Sequence, residues 1–446
     1  MSYTRARVGL GINQAPTGPF RSSVDHRPDI VQPVRAAKWT LLVVGAVIFS
    51  LLMTLIAAFV SSTQQTEATQ SGLESFYTPP NPIPTKPGTL IRTERLDVDV
   101  PGATAYRMLY SSQRPDGAPA VSGGMMFIPD GPAPTGGRKV VAWAHGTVGQ
   151  GDACTPSRST NPLQDTTNWL DQMMQLGWVV VSTDYAGMGT PGPNLYLVAQ
   201  AEVRDVVNSV RALQEFPPGN ASTDYVVWGH SQGGHSSLWA GHLAPELAPE
   251  LNLIGVAAAA PAGELALIMG AQWDTAVGWV IGPEIVESWP VVYPNLPLDG
   301  SISPAGLANF ARLANECIAP AAIEGMVRTD LGDKFFMVDP TNTEWDTKAR
   351  EQTPPPLPAS MPVFIGQSTA DAVVLPWPNA VLQEKWCQAG STIELLWIGV
   401  VSHQDTAMTI GPAVVDWLAD RFAGRPATRT CDVAPPVSAP AGAITG

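Results

Sequence analysis

One short run constrains this chain more than any other: Tyr225-Val226-Val227-Trp228 leads without a break into Gly229-His230-Ser231-Gln232-Gly233-Gly234. A β-forming stretch, then G-x-S-x-G, then a helix-forming stretch from His235 to Leu243 is the pattern of a nucleophile elbow. Such a turn forces the central residue into strained backbone. Gly229 and Gly233 flank it because strand and helix approach there too closely for a Cβ. The elbow needs a sheet whose strands feed directly into helices.

The rest of the chain supplies one. Ala120–Ile128, Lys139–Ala144, Trp178–Thr183, Leu253–Ala260, Pro362–Gln367 and Thr392–Gly399 read as strands. Helices are expected at Asn168–Leu176, Ala199–Phe216, Gln232–Leu243 and Thr406–Phe422. In the second of these, Val203, Val206, Val207, Val210 and Leu213 recur at helical spacing. Strands alternating with helices imply an α/β fold, with a mostly parallel sheet covered on both faces. Residues 262–359 interrupt the alternation. They are mixed helical and Pro-rich, carry Trp273, Trp279, Trp289 and Trp345, and read as a largely helical cap. The cap divides the core into a first part, 89–261, and a second part, 360–424.

The N-terminal region has a different character. Residues 1–38 hold six Arg and Lys against two Asp, a net of +4, which leaves −18 for the remainder of a chain whose net charge is −14. Trp39–Val60 follows, 22 residues without a charge. As a helix it would span about 33 Å, enough for the hydrocarbon core of a bilayer. It is expected to be an uncleaved anchor with 1–38 in the cytoplasm and the bulk outside, or else a cleaved signal. Residues 61–88 form a polar and Pro-rich linker, and 425–446 an Ala/Pro-rich tail. The acidic balance argues against a nucleic-acid partner. No C-x-x-C, H-E-x-x-H or His cluster points to a metal, and no feature demands an obligate protein partner.

A serine hydroxyl needs a base and an orienting acid, which on such a sheet follow it in the order Ser, acid, His. Of the histidines after Ser231, His235 and His242 belong to the elbow helix, which leaves His403 just beyond a strand. Asp371 follows the end of the preceding strand and is the expected acid. Its rival Asp405 is expected to cap the closing helix. Asp184 reads as structural. Two amides should face the oxyanion: that of Gln232, and that of Thr147 in His145-Gly146-Thr147 after an earlier strand. His145 is expected to bond backbone. The four cysteines, Cys154, Cys317, Cys387 and Cys431, allow three pairings in an oxidising compartment.

These residues carry a resemblance. The chain resembles the secretory lipase family, whose best-known relative is the yeast lipase A type, from Phe76-Tyr77 to about Cys431. The more specific pieces are His145-Gly146-Thr147 with Asp152-Ala153-Cys154, Asp184-Tyr185-Ala186-Gly187-Met188-Gly189-Thr190-Pro191-Gly192, Tyr196-Leu197, and Gly229–Gly234. The resemblance implies a capped α/β-hydrolase acting on acylglycerol or other carboxylic esters, without a cofactor. It implies a triad of Ser231, Asp371 and His403, and it favours the pairs Cys154–Cys317 and Cys387–Cys431. Two further readings share this scaffold: a serine acyltransferase, and a non-catalytic surface binding protein. Apolar clusters in the cap, Leu265–Met269 and Val277–Ile281, are expected either to pack it onto the core or to line an acyl channel.

Overall fold

The computed structural model describes residues 69–164, 166–399 and 401–443. The leader and the apolar segment Trp39–Val60 lie outside them. Among the described residues no helix is long and apolar enough to cross a membrane.

Nine strands form one sheet: β1 Leu90–Arg95, β2 Ala103–Gln113, β3 Pro119–Pro129, β4 Arg138–Ala144, β5 Val179–Thr183, β6 Ala221–His230, β7 Asn252–Ala259, β8 Val363–Ser368 and β9 Ile393–Ile398. Their order is β1-β2-β3-β5-β4-β6-β7-β8-β9. From β5 to β9 every pairing is parallel, while β1, β2, β3 and β5 pair antiparallel. The alternation in sequence identified the parallel part and missed β1 and β2.

Beyond a helical stretch at 69–77, the helices are α1 Thr167–Gln175, α2 Ala199–Gln214, α3 Gln232–Leu247, α4 Leu265–Gln272, α5 Ala276–Val292, α6 Pro304–Ala314, α7 Ile318–Asp330, α8 Glu344–Glu351, α9 Pro376–Gln388 and α10 Thr406–Phe422. Successive strand residues face opposite sides, so each strand feeds two cores. Val140, Ala142 and Ala144 of β4 pack with Val203, Val206 and Val207 of α2 and Leu238 of α3. Val141 and Trp143 pack on the other face with Trp169 of α1 and Val414 of α10. Burial on both sides is why the central strands read as continuous apolar runs.

Residues 262–359 hold α4 to α8 around a hydrophobic cluster that also takes in Leu195, Tyr196, Leu197, Val198, Ala201 and Val374, and in which Trp279 packs edge-on to Phe335 and Trp289 stacks on Trp345. The loop after β4 is joined to this region. Gln150 N–H donates to Ala314 O (2.7 Å), Ile318 N–H donates to Val148 O (2.9 Å), and Cys154 is disulfide-bonded to Cys317 at the start of α7. Cys387 of α9 is bonded to Cys431, and the tail runs beside β9, with Thr430 N–H donating to Ile393 O (3.0 Å).

Candidate active site

Ser231 sits between the last residue of β6 and the first of α3, with φ 56° and ψ −114°. A left-handed φ is costly for any residue with a Cβ. Here the contacts on either side hold it. A Cβ on Gly233 would lie 1.8 Å from Ala144 O, and one on Gly229 would lie 2.1 Å from Gly233 O. The helix start is therefore pressed against two strand ends, and the Ser231 hydroxyl is lifted above the sheet.

His403 stands on the loop between β9 and α10, Asp371 on the loop after β8. His403 Nδ1 is 2.7 Å from Asp371 Oδ2, and its Nε2 is 2.8 Å from Ser231 Oγ. A carboxylate accepts only, so Nδ1 carries the proton and Nε2 is left to accept from the serine hydroxyl. Asp371 is itself fixed. Its Oδ1 accepts from Val373 N–H and Val374 N–H (2.9 Å each), and Oδ2 also accepts from Gln367 Nε2 (3.3 Å). All three side chains of the chain Ser231–His403–Asp371 are buried.

Asp405 is elsewhere. It occupies the N-cap position of α10 and makes no side-chain cap there, because its carboxylate accepts instead from Ser402 Oγ (2.6 Å) at the surface. The expected cap is corrected accordingly. His145 faces backbone at both ring nitrogens, Gly146 O at 2.7 Å and Asp184 O at 3.3 Å. Asp184 accepts from the amide and hydroxyl of Ser157 and takes no part around Ser231.

Thr147 and Gln232 both line the cavity that opens on Ser231. The Gln232 amide lies in the first turn of α3, where N–H groups have no intrahelical acceptor. The 145–147 loop passes close to the serine: a Cβ on Gly146 would be 3.4 Å from Ser231 Cβ. Thr147 is held by its hydroxyl, 2.7 Å from Tyr196 OH.

Three supporting residues were not singled out in the sequence. His230 Nε2 donates to His403 O (3.0 Å), and the two rings lie 4.8 Å apart. Burial, and after it the charge of His403, push the His230 imidazole down to about 3, so it stays neutral beside His403. Glu202 of α2 accepts from Gln232 Nε2 (2.9 Å), His235 Nδ1 (2.9 Å), Ser236 Oγ (2.9 Å) and Leu197 N–H (3.0 Å). It anchors the first turns of α3 from below. Glu284 of α5 is buried, and burial raises its carboxyl well above the usual range. A polar residue in an apolar stretch gives only a weak signal in sequence, because its partners lie on other elements.

The cavity over Ser231 encloses about 610 Å³, its open mouth included. Leu265, Ile268, Met269, Val277 and Ile281 line it from α4 and α5, with Phe336 beside them. Among the described residues no group of His, Cys, Asp and Glu is placed to hold a metal ion.

Comparison with known proteins gives a consistent picture. The sequence profile described as secretory lipase matches residues 155–430. Lipase 6 of Candida albicans is 24% identical over 380 residues, which cover 78% of this chain and 80% of that one. A probable inactive lipase of Mycobacterium tuberculosis is also 24% identical, over 385 residues covering 80% and 83%. Among solved structures, Candida antarctica lipase A in its closed state superposes with a TM-score of 0.66 at 18% identity, over 82% of this chain and 89% of that one. The rice cell wall degrading esterase LipA of Xanthomonas oryzae gives 0.63 at 18% identity, over 76% and 98%. At such identities the structures establish the α/β-hydrolase fold.

Proposed function

The chain belongs to the secretory lipase family, and on that premise we propose that it is a serine ester hydrolase working through a covalent acyl-serine. The observation that carries this reading is the unbroken hydrogen-bonded path from Ser231 Oγ through His403 to Asp371, 2.8 and 2.7 Å. Ser231 Oγ attacks the ester carbonyl as His403 Nε2 takes its proton, and the carbonyl oxygen becomes an oxyanion facing the amides of Gln232 and Thr147. His403 then protonates the leaving alcohol. In the second half, water adds to the acyl carbonyl, His403 takes and returns the proton, and Ser231 is released with the free acid. Asp371 keeps the tautomer and stabilises the imidazolium. A complete path of this kind supports activity here, although one relative is described as inactive. Covalent labelling by a fluorophosphonate, located at Ser231 by peptide mapping, tests the reading; an unlabelled, folded protein overturns it.

The cavity walls support a substrate with a medium or longer acyl chain. Each CH₂ buried among Leu265, Ile268, Met269, Val277 and Ile281 is worth up to about 0.8 kcal/mol, or about fourfold in kcat/KM. With p-nitrophenyl esters kept below their aggregation threshold, kcat/KM should rise with chain length until the cavity is filled. A monotonic fall from the acetate upward would remove the lipase reading and leave a short-chain esterase.

The family places the protein outside the cell. Within that setting, Trp39–Val60 anchors it to a membrane with residues 1–38 inside, supported by the uncharged run and the basic leader. The protein should resist extraction by carbonate. A mature chain beginning near Ser61 would instead establish a cleaved signal.

A further inference from the structure

A hydrogen-bond donor stabilises an oxyanion most when it is fixed before the charge develops. The Thr147 amide has the first mark of such a donor. Among the described residues its N–H meets no acceptor, and the Thr147 carbonyl meets no donor. The neighbouring backbone is held only farther along, where Val148 O accepts from Ile318 N–H and Gln150 N–H donates to Ala314 O. Thr147 makes a single hydrogen bond within the described residues, between its hydroxyl and Tyr196 OH at 2.7 Å. Its orientation hangs on that bond.

Tyr196 is itself gripped at its backbone. Its N–H donates to Ser288 Oγ (3.2 Å) and its carbonyl accepts from Trp289 Nε1 (3.1 Å), both on α5 of the cap. At the next residue, Leu197, φ is 52°, a left-handed value that a residue with a Cβ keeps only where its surroundings impose it. Here they do: Leu197 N–H donates to Glu202 Oε1 (3.0 Å), and Tyr196 and Leu197 are both buried. Burial, and after it the Glu284 carboxyl, push the Tyr196 phenol well above its ordinary value, so it stays a neutral hydroxyl beside Thr147. Tyr196 and Thr147 also line the same space, the cavity that opens on Ser231.

We propose that Tyr196 is a positioning residue for the oxyanion site, holding the Thr147 hydroxyl so that the Thr147 amide is fixed before the charge forms. The inference rests on the acyl-serine reading above, in which that amide faces the oxyanion. Both halves of the reaction depend on it. An oxyanion forms when Ser231 Oγ adds to the ester carbonyl, and again when water adds to the acyl-serine. Ground-state binding does not depend on it, since the apolar walls hold the acyl chain. The cap thus does more than cover the site: α5 holds Tyr196, and Tyr196 holds the donor. The pair Tyr196-Leu197, which stands out in the sequence without a chemistry of its own, acquires a role.

Tyr196→Phe removes only the phenolic oxygen and tests the proposal in the full-length protein. With p-nitrophenyl octanoate below its aggregation threshold, kcat should fall about tenfold while KM stays within about twofold. Two ketones separate positioning from packing. Octyl trifluoromethyl ketone adds to Ser231 as an anionic hemiketal and should bind the variant about tenfold more weakly. Octyl methyl ketone fills the same cavity without that charge and should bind both proteins equally well. Thr147→Val should reproduce these losses, and the double variant should add nothing further. Thr147→Ser, which keeps the hydroxyl, should recover most of what Thr147→Val loses. Unchanged kcat and trifluoroketone binding in folded Tyr196→Phe overturn the proposal. So do losses that weaken the methyl ketone as much as the trifluoroketone, or that add in the double variant. Failure of the acyl-serine reading looks different: the unmodified protein then binds the trifluoroketone no more tightly than the methyl ketone.

Discussion

Replacement of Ser231 by Ala, or of His403 by Ala, is expected to lower turnover by about 10⁴-fold or more while the melting temperature stays near that of the unmodified protein. The two losses should not add, because the hydroxyl and the imidazole act as one unit: Nε2 lies 2.8 Å from Oγ and each is idle without the other. What remains would come from the oxyanion donors and substrate binding. Asp371→Asn belongs to the same class. An amide in its place presents a donor or the wrong acceptor to Nδ1, turns the tautomer, and should cost about 10⁴-fold. Asp405→Asn should be mild, since its carboxylate meets only Ser402 at the surface. Steady-state kinetics on a soluble ester checks all four variants. Near-normal activity in Ser231→Ala ends the assignment, and a reversed ranking of the two aspartates exchanges the acid.

A second large effect is structural. Gly233→Ala would put a methyl group 1.8 Å from Ala144 O, with Ala144 carbonyl carbon at 2.4 Å and His145 O at 2.7 Å. All three are backbone atoms of β4 and the loop that follows, so no side chain can turn aside. Relief requires the elbow helix to move off the sheet, which undoes the backbone of Ser231 as well. The variant should lose on the order of 4–5 kcal/mol, at the upper end of single-residue effects, and lose activity with it. Gly399→Ala is the matching control. No atom lies within 4 Å of a Cβ there, and its stability should stay within about 0.5 kcal/mol. Urea denaturation of the two variants decides the matter; equal stabilities would show that the close approach is not rigid.

The parts of the fold and site that were legible in sequence are those whose cause is local. The elbow could be read because a strand, a strained serine and two residues without a Cβ follow one another within ten positions. The central strands could be read because burial on both faces makes them uniformly apolar. β2 was not legible for the opposite reason. Its buried positions include Arg107, Ser111 and Ser112, which break the apolar pattern. Their partners stand far off in sequence: Ser157 O for Arg107, and Asp205 for Ser112. α9 was hidden in the same way, since Pro376 and Pro378 mark its first turn and look like punctuation in a linear reading.

The amino-acid sequence by itself determined the chemistry on offer: one serine at an elbow, one histidine beyond the elbow helix, an acid after a strand, and four cysteines. Only the tertiary structure decided which of these meet. His403 reaches Ser231 across a separation of 172 residues, and Asp371, not Asp405, faces its Nδ1. It also decided that Glu202 of α2 holds the Gln232 side chain, 2.9 Å from its Nε2. Periodicity reports how much of a residue is buried, because burial depends on the element to which it belongs. It does not report against what, because partners are set by how strands order themselves in the sheet and how the loops between them cross.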